Sequence, residues 1–261
     1  MSTLAYAVRD TRTMLHRDFM HSLRFPVMTL SGVITPVFFL AMFVYVLGGA
    51  LGTGIGAGDE YINFIAPGIL VMAVGTGSAT TAVNVNTDMT EGIIARFRTM
   101  SISRQSVLTG TAVGAVIRTM LSLVLVTAAA MLMGFDTTAN VGEWLAAAGV
   151  LALFALALTW VSIGLGLWAK SPGGANGSTM IVQFLLPFLS SAFVPTGSMP
   201  SWLRAFAENQ PYTHLINTMR GLLQGEPIGD SAVLAVIWCV AIGTIGYLWA
   251  RKLYNRDPAA S

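Results

Sequence analysis

The chain has 261 residues, of which 54% are hydrophobic and only 10% charged, and its mean hydropathy is +0.70. Soluble domains carry about 25% charged residues, so this composition excludes a water-soluble enzyme, a nucleic-acid-binding domain and a disordered chain. The net charge of +2, from 14 Lys+Arg against 12 Asp+Glu, decides nothing by itself; the placement of those charges does.

Residues 1–25 read as an amphipathic helix lying in the membrane interface. Leu4, Val8, Thr11, Leu15, Phe19 and Ser22 share one face, and Asp10, Arg17, His21 and Arg24 line another. No compact apolar stretch precedes Phe25, so a cleavable signal peptide is not expected. Residues 26–261 then form one transmembrane domain. Its six apolar segments run from about Pro26 to Gly48, Tyr61 to Val85, Leu108 to Gly134, Trp144 to Ala169, Ser178 to Val194 and Ala232 to Ala250. A spanning helix needs about 20 apolar residues, and lipid demands that each segment satisfy its own backbone. The expected fold is therefore an all-α membrane protein with six transmembrane helices.

Orientation follows from the basic residues of the short loops. With the N-terminus inside, 11 of the 14 fall on the inner side: Arg9, Arg12, Arg17, Arg24, Arg96, Arg98, Arg104, Lys170, Arg251, Lys252 and Arg256. Arg204 and Arg220 lie outside, and Arg118 falls within the third span. Both termini are expected to be cytoplasmic.

Two connecting segments are too patterned for plain loops. Residues 87–106 contain Asp88 and Glu91 as an N-cap pair, then a stripe of Met89, Ile93, Phe97 and Met100, with Glu91, Arg96 and Arg98 projecting elsewhere. This predicts a short amphipathic helix on the inner surface. Residues 195–229 contain Pro200 and Pro211, each opening a short helix, and Gly225, which can stop the second. Trp202 and Phe206 share one face; Tyr212, Leu215, Ile216, Met219, Leu222 and Leu223 form a second stripe. These read as a helix pair dipping into or lying on the outer leaflet.

Catalytic chemistry is not encoded. No Gly-x-x-x-x-Gly-Lys-Ser/Thr occurs, and the two lysines are Lys170 and Lys252. Cys239 has neither a second cysteine nor a His or acid beside it and reads as a packing residue; His214 has no companion at metal-ligand spacing. The spans hold no central acid of the kind that proton- or ion-coupled transporters use as relays. Arg118 is expected to snorkel or to make a structural pair, with contact to a substrate path as the alternative. Polar and aromatic positions at suitable depth make Phe38, Phe39, Met42, Met72, Asn84, Gln183 and Phe188 candidates for a substrate path.

Three features in combination resemble the membrane subunit of type-2 ABC exporters, and within it the daunorubicin/doxorubicin-resistance permeases. They are the amphipathic N-terminal helix, Glu91-Gly-Ile-Ile-Ala-Arg96-Phe97-Arg98 through Arg104, and Pro195-Thr-Gly-Ser-Met199-Pro200-Ser-Trp202 followed by Asn209-Gln-Pro211 and Arg220 to Gly225. The resemblance covers essentially the whole chain. It implies a separately encoded ABC ATPase that binds ATP and Mg, so this chain itself needs no cofactor. It also implies a second permease chain, as a homodimer in a two-plus-two complex. Residues 1–25 would be the connecting helix. Asp88, Glu91, Arg96, Phe97, Arg98 and Arg104 would form the coupling helix contacting the ATPase. Pro195, Met199, Pro200, Trp202, Pro211 and Arg220 would belong to the re-entrant gate. The implied cargo is a hydrophobic or amphiphilic compound, drug-like or, as the alternative within the class, a lipid or glycolipid. Outside the class, an ATP-independent secondary transporter or a membrane scaffold remains open.

Overall fold

A computed structural model describes residues 26–48, 59–92 and 104–255. The expected N-terminal interfacial helix, and Arg96, Phe97 and Arg98 of the expected coupling helix, lie outside the described residues.

The described elements are all helical. In chain order they are α1 (Pro26–Ala41), which continues into a π-helical turn (Met42–Leu47), α2 (Asp59–Thr90), α3 (Arg104–Leu132) and α4 (Val141–Trp168). Then come α5 (Pro172–Met180), running through a π-helical turn (Ile181–Leu185) into one last α turn (Leu186–Phe188), α6 (Ser201–Asn209), α7 (Pro211–Gln224) and α8 (Ser231–Tyr254).

Among the described residues four helices, α2, α3, α4 and α8, are long and apolar enough to cross a membrane. The first and fifth expected spans are shorter or interrupted. α1 carries Pro36 in its interior and widens into the π turn. The fifth is displaced as well: it begins at Pro172 rather than near Ser178, and residues 189–194 form turns instead of helix. The start is set by Ser171, whose hydroxyl accepts the Gly174 N–H ahead of Pro172 at the first helical position. Near the far end Pro187, which has no N–H for the ladder, lies one residue before the helix stops.

α2 occupies the centre. In its most apolar stretch 83% of the residues are buried, against 28% in α3 and 17% in α8, whose outer sides are apolar and exposed. Lipid tails are as apolar as leucine, so the hydrophobic effect does not press these helices together; close approach and directed polar contacts must. Gly166 of α4 shows the first device. A Cβ there would stand 2.5 Å from the Ala82 carbonyl oxygen of α2, so only glycine lets these backbones meet. Beside it the fully buried Asn86 donates from Nδ2 to the carbonyls of Gly166 (2.9 Å) and Ala169 (2.6 Å), closing the C-terminal end of α4.

Asp88 and Glu91 do not cap a new helix. Asp88 sits in the last turn of α2, the Glu91 N–H bonds back to the Thr87 carbonyl at 2.9 Å, and Gly92 turns the chain with φ 74°. The helix runs on past the apolar stretch because each residue still adds its own i→i−4 bond, and it stops where glycine makes the left-handed conformation cheap. Arg104 opens α3.

The boundaries expected in the 195–229 segment hold. Pro200 is the N-cap of α6, Pro211 is the first residue of α7, and Gly225 closes α7 in the left-handed region with φ 73°. α7 does not lie on a surface. Tyr212, Leu215, Ile216, Met219 and Leu223 are buried in the main core with α2 and α4. Cys239 is buried in the same core, as a packing residue.

Candidate functional site

Prolines in α2 and α5 leave carbonyls without their regular partners, and α7 supplies the replacements. Pro67 cannot donate to the Asn63 carbonyl four residues earlier; the Gln224 side chain donates to it instead. Pro187 lies five residues after Val182 and so cannot complete the wider i→i+5 pattern of the π turn. The buried Tyr212 hydroxyl donates to the Val182 carbonyl at 2.6 Å. Arg220, 5% exposed, completes the set. Its Nη2 donates to the carbonyls of Ser191 (2.8 Å) and Phe64 (3.1 Å), its Nε also reaches Phe64 (3.2 Å), and its guanidinium lies 3.8 Å from the centre of the Phe64 ring.

More bonds close the same end of the bundle. Gln210 donates to the Leu189 carbonyl (2.6 Å), Thr137 Oγ1 to the Leu223 carbonyl (2.6 Å), and the Asp136 N–H to Asn63 Oδ1 (2.9 Å). This is the Arg220 end, sealed by side-chain-to-backbone bonds between elements distant in sequence.

Toward the opposite end, which contains Asn86, a cavity of about 230 Å³ opens between α1, α2 and α5. Its polar lining is Thr35, Thr76, Thr80, Asn84, Asn176 and Gln183, with Gly32, Ala79 and Val83 between them. All nine are uncharged. The hydroxyls of Thr76 and Thr80 donate to their own helix, to the carbonyls of Ala73 (2.8 Å) and Thr76 (3.3 Å). Their oxygens can still accept. The three carboxamides offer both donors and acceptors.

A separate apolar groove runs along α5 and its π turn, lined by Gly177, Met180, Ile181, Phe184, Leu185 and Phe188. Phe39 of α1 approaches Phe184 and Phe188 with ring centres 5.9 and 6.2 Å apart.

The candidate path residues divide accordingly. Asn84 and Gln183 meet at the polar cavity. Phe188 lines the apolar groove; Phe39 and Met42 pack against the core beside it. Phe38 is 63% exposed on the outside of the bundle, and Met72 is fully enclosed in the core. Neither faces the cavity: depth along a helix was readable from the sequence, but the inward-facing side was not. Thr35 and Asn176 were missed. Thr35 stands directly before Pro36, and Asn176 sits in a Pro-Gly-Gly stretch that resembles a loop yet is helical.

Arg118, half-buried on α3, reaches Thr81 Oγ1 of α2 at 3.5 Å, a structural pairing rather than a cavity position. Of the expected gate, Arg220 is buried, whereas Pro195, Pro200 and Trp202 are exposed around α6. Met199 is half-buried at the end of the turn before α6. His214 is half-buried, and burial lowers its imidazole below the usual value. Among the described residues no group of three or more His, Cys, Asp or Glu is placed to hold a metal.

Comparison with known proteins places this geometry. Residues 9–223 match the ABC-2 type transporter family. The chain is similar to the daunorubicin resistance ABC transporter permease protein of Streptomyces coeruleorubidus, with 32% identity over 98% of this chain and 89% of that protein. It is also similar to a probable doxorubicin resistance ABC transporter permease protein of Mycobacterium tuberculosis, with 24% identity over 82% of this chain and 76% of that one.

Proposed function

The chain belongs to the ABC-2 type transporter permeases, multi-pass proteins of the cell membrane, and from that premise we propose that it is the membrane subunit of an ATP-driven exporter of hydrophobic or amphiphilic compounds. A separately encoded ABC ATPase binds ATP and Mg, and two copies of this chain form the transmembrane unit. α1 and the α5 segment complete six spans, with both termini in the cytoplasm, so the Asn86 end faces inward and the Arg220 end outward. α6 and α7 then make the outer, re-entrant gate.

One observation supports the reading: the bundle has a polar cavity toward the Asn86 end and a hydrogen-bonded closure at the Arg220 end. That asymmetry suits an inward-facing resting state. Cargo enters the inner half, and ATP-driven movement of residues 87–106 shifts the helices until the outer closure parts. Resistance-exporter relatives support a drug-like cargo. α5 is suited to bend, because its π turn and Pro187 interrupt the regular ladder.

The test is copurification with a coexpressed ABC ATPase, followed by ATP-dependent uptake of hydrophobic dyes into inverted membrane vesicles. A stable complex with ATP-dependent uptake is expected, and a Glu91→Ala/Arg98→Ala double variant should lose coupling between hydrolysis and uptake. Absence of a complex and of ATP-dependent uptake overturns the exporter reading; unchanged coupling in the double variant overturns the role given to residues 87–106.

A further inference from the structure

We infer that the cavity between α1, α2 and α5 recognises an uncharged, hydroxyl- or amide-rich head group, so that the cargo is a neutral-headed amphiphile such as a glycosylated compound. The inference rests on the exporter reading for the direction of transport, and on the cavity alone for the chemistry of the ligand.

The lining decides the class. Thr35, Thr76, Thr80, Asn84, Asn176 and Gln183 are all neutral, and they bring both hydrogen-bond donors and acceptors. A sugar hydroxyl donates and accepts in the same way, so it can exchange its water shell for these groups one bond at a time. An ammonium or carboxylate head finds no counter-charge among the described residues of this lining. Bringing a charge in from water without one costs several kcal/mol, and the surrounding lipid deepens that penalty.

Two further features agree. The Thr76 and Thr80 hydroxyls already spend their protons on helix carbonyls and therefore present acceptors, while Asn84 and Gln183 make no side-chain hydrogen bond to another described residue. These half-buried carboxamides keep donors and acceptors free to bond a ligand in the cavity. Size limits the ligand as well. Whole drug-sized ligands fill pockets of roughly 300–1,000 Å³. A cavity of about 230 Å³ takes only part of such a molecule. The polar end enters, and the apolar remainder stays outside in lipid.

The probes are two amphiphiles with the same octyl chain, octyl glucoside and octyl trimethylammonium, and a fluorescent monoglucosyl diacylglycerol. Binding to the purified permease–ATPase complex is measured without ATP, and uptake into inverted vesicles with ATP. At least tenfold tighter binding of octyl glucoside than of octyl trimethylammonium is expected. Gln183→Leu and Asn84→Leu should each weaken glucoside binding about tenfold, and Gln183→Glu should reverse the preference by supplying a counter-charge. Equal binding of the two octyl probes, or unchanged glucoside binding in both leucine variants, overturns the inference. Preference for the glucoside without ATP-dependent uptake of any probe supports the cavity chemistry and overturns the exporter reading. If both glucosyl probes bind but only one is taken up, the inference stands and the cargo's source is assigned, the small glycoside or the lipid.

Discussion

The two ends of the helix bundle are held by different physics. At the Arg220 end, helices and turns far apart in sequence are joined by directed bonds: Arg220 to Phe64 and Ser191, Tyr212 to Val182, Gln224 to Asn63, and Thr137 to Leu223. Around the cavity, the hydroxyls of Thr76 and Thr80 turn back on their own helix. There the walls are not tied to one another through these groups. A region fastened by many specific bonds has few alternative arrangements, whereas walls that satisfy themselves can slide without orphaning a polar group. The contrast gives the bundle a stiff closure at one end and adjustable walls further along, with α5 passing between the two.

The largest effect is expected at Arg220. Arg220→Ala strips the Ser191 carbonyl of its buried partner, leaves the Phe64 carbonyl only its helix bond, and removes the cation from the Phe64 ring. An orphaned carbonyl costs about 1–3 kcal/mol, and a desolvated cation–π contact adds about 1–2 kcal/mol. The variant should therefore lose roughly 2–4 kcal/mol and show a clearly lowered thermal-aggregation midpoint in detergent. Arg220→Lys should recover only part, because an ammonium lacks the planar fork that serves two acceptors at once. A midpoint for the alanine variant equal to the parent's would erase the contrast between the two ends.

Next come two bonds that each repair or close one place. Tyr212→Phe keeps the ring, including its edge-on contact with Phe154, and removes only the donor to Val182. Thr137→Val removes one of two donors to the Leu223 carbonyl, which keeps the Thr138 N–H, and takes the acceptor from the Ala139 N–H. Tyr212→Phe should cost about 1–3 kcal/mol by the same orphaned-carbonyl argument, and Thr137→Val about 1 kcal/mol for the bonds it loses, each read as a drop in the same midpoint. Tyr212→Phe should also lower cargo moved per ATP hydrolysed, because it frees the π turn of α5 from α7. A stability loss with unchanged stoichiometry would make Tyr212 a fastener and nothing more.

How much of this was legible in the sequence depends on the range of the physics involved. The ends of α6 and α7 were readable from Pro200, Pro211 and Gly225, since capping is a matter of a few neighbouring residues. The interruption of α5 was not. Pro187 announces a break, but its repair comes from Tyr212, whose place beside Val182 is set by tertiary packing. Asp88 and Glu91 misled because acids followed by glycine fit the end of one helix as well as the start of another. At the candidate site, polarity alone picked out Asn84 and Gln183, which both line the cavity, while the placement of Met72 and Phe38 required knowledge of which face turns inward.

A smaller effect belongs to the surface of the closed end. Arg204 Nε donates to Glu208 Oε1 at 2.7 Å, and Thr196 adds a longer bond, tying the turn before α6 to that helix. The hydrogen bond from Arg204 holds the Glu208 carboxyl below its usual value. A carboxyl with a depressed folded-state pKa adds stability above its unfolded value, about 4.3, and that contribution disappears as the pH falls through the folded value. A spin label on exposed Ala205 should therefore gain mobility on acidification below about pH 4. Glu208→Gln should be mobile already at neutral pH and flat on acidification. Both groups are well exposed, so salt should weaken the effect.

The smallest effect is the sharpest comparison. Thr80→Val in the cavity wall makes the same chemical change as Thr137→Val in the closure: a hydroxyl becomes a methyl at nearly constant shape. At Thr80 the lost bond is 3.3 Å long and runs to the Thr76 carbonyl, which as an interior helix carbonyl also has its regular backbone partner. No acceptor is orphaned, so the change should stay within about 0.5 kcal/mol. At Thr137 the lost bond is 2.6 Å long and joins two elements. Equal destabilisation by the two substitutions would mean that the cavity wall is as firmly fastened as the closure. A silent Thr80→Val that weakens octyl glucoside binding would place its oxygen in the service of the ligand rather than of the fold.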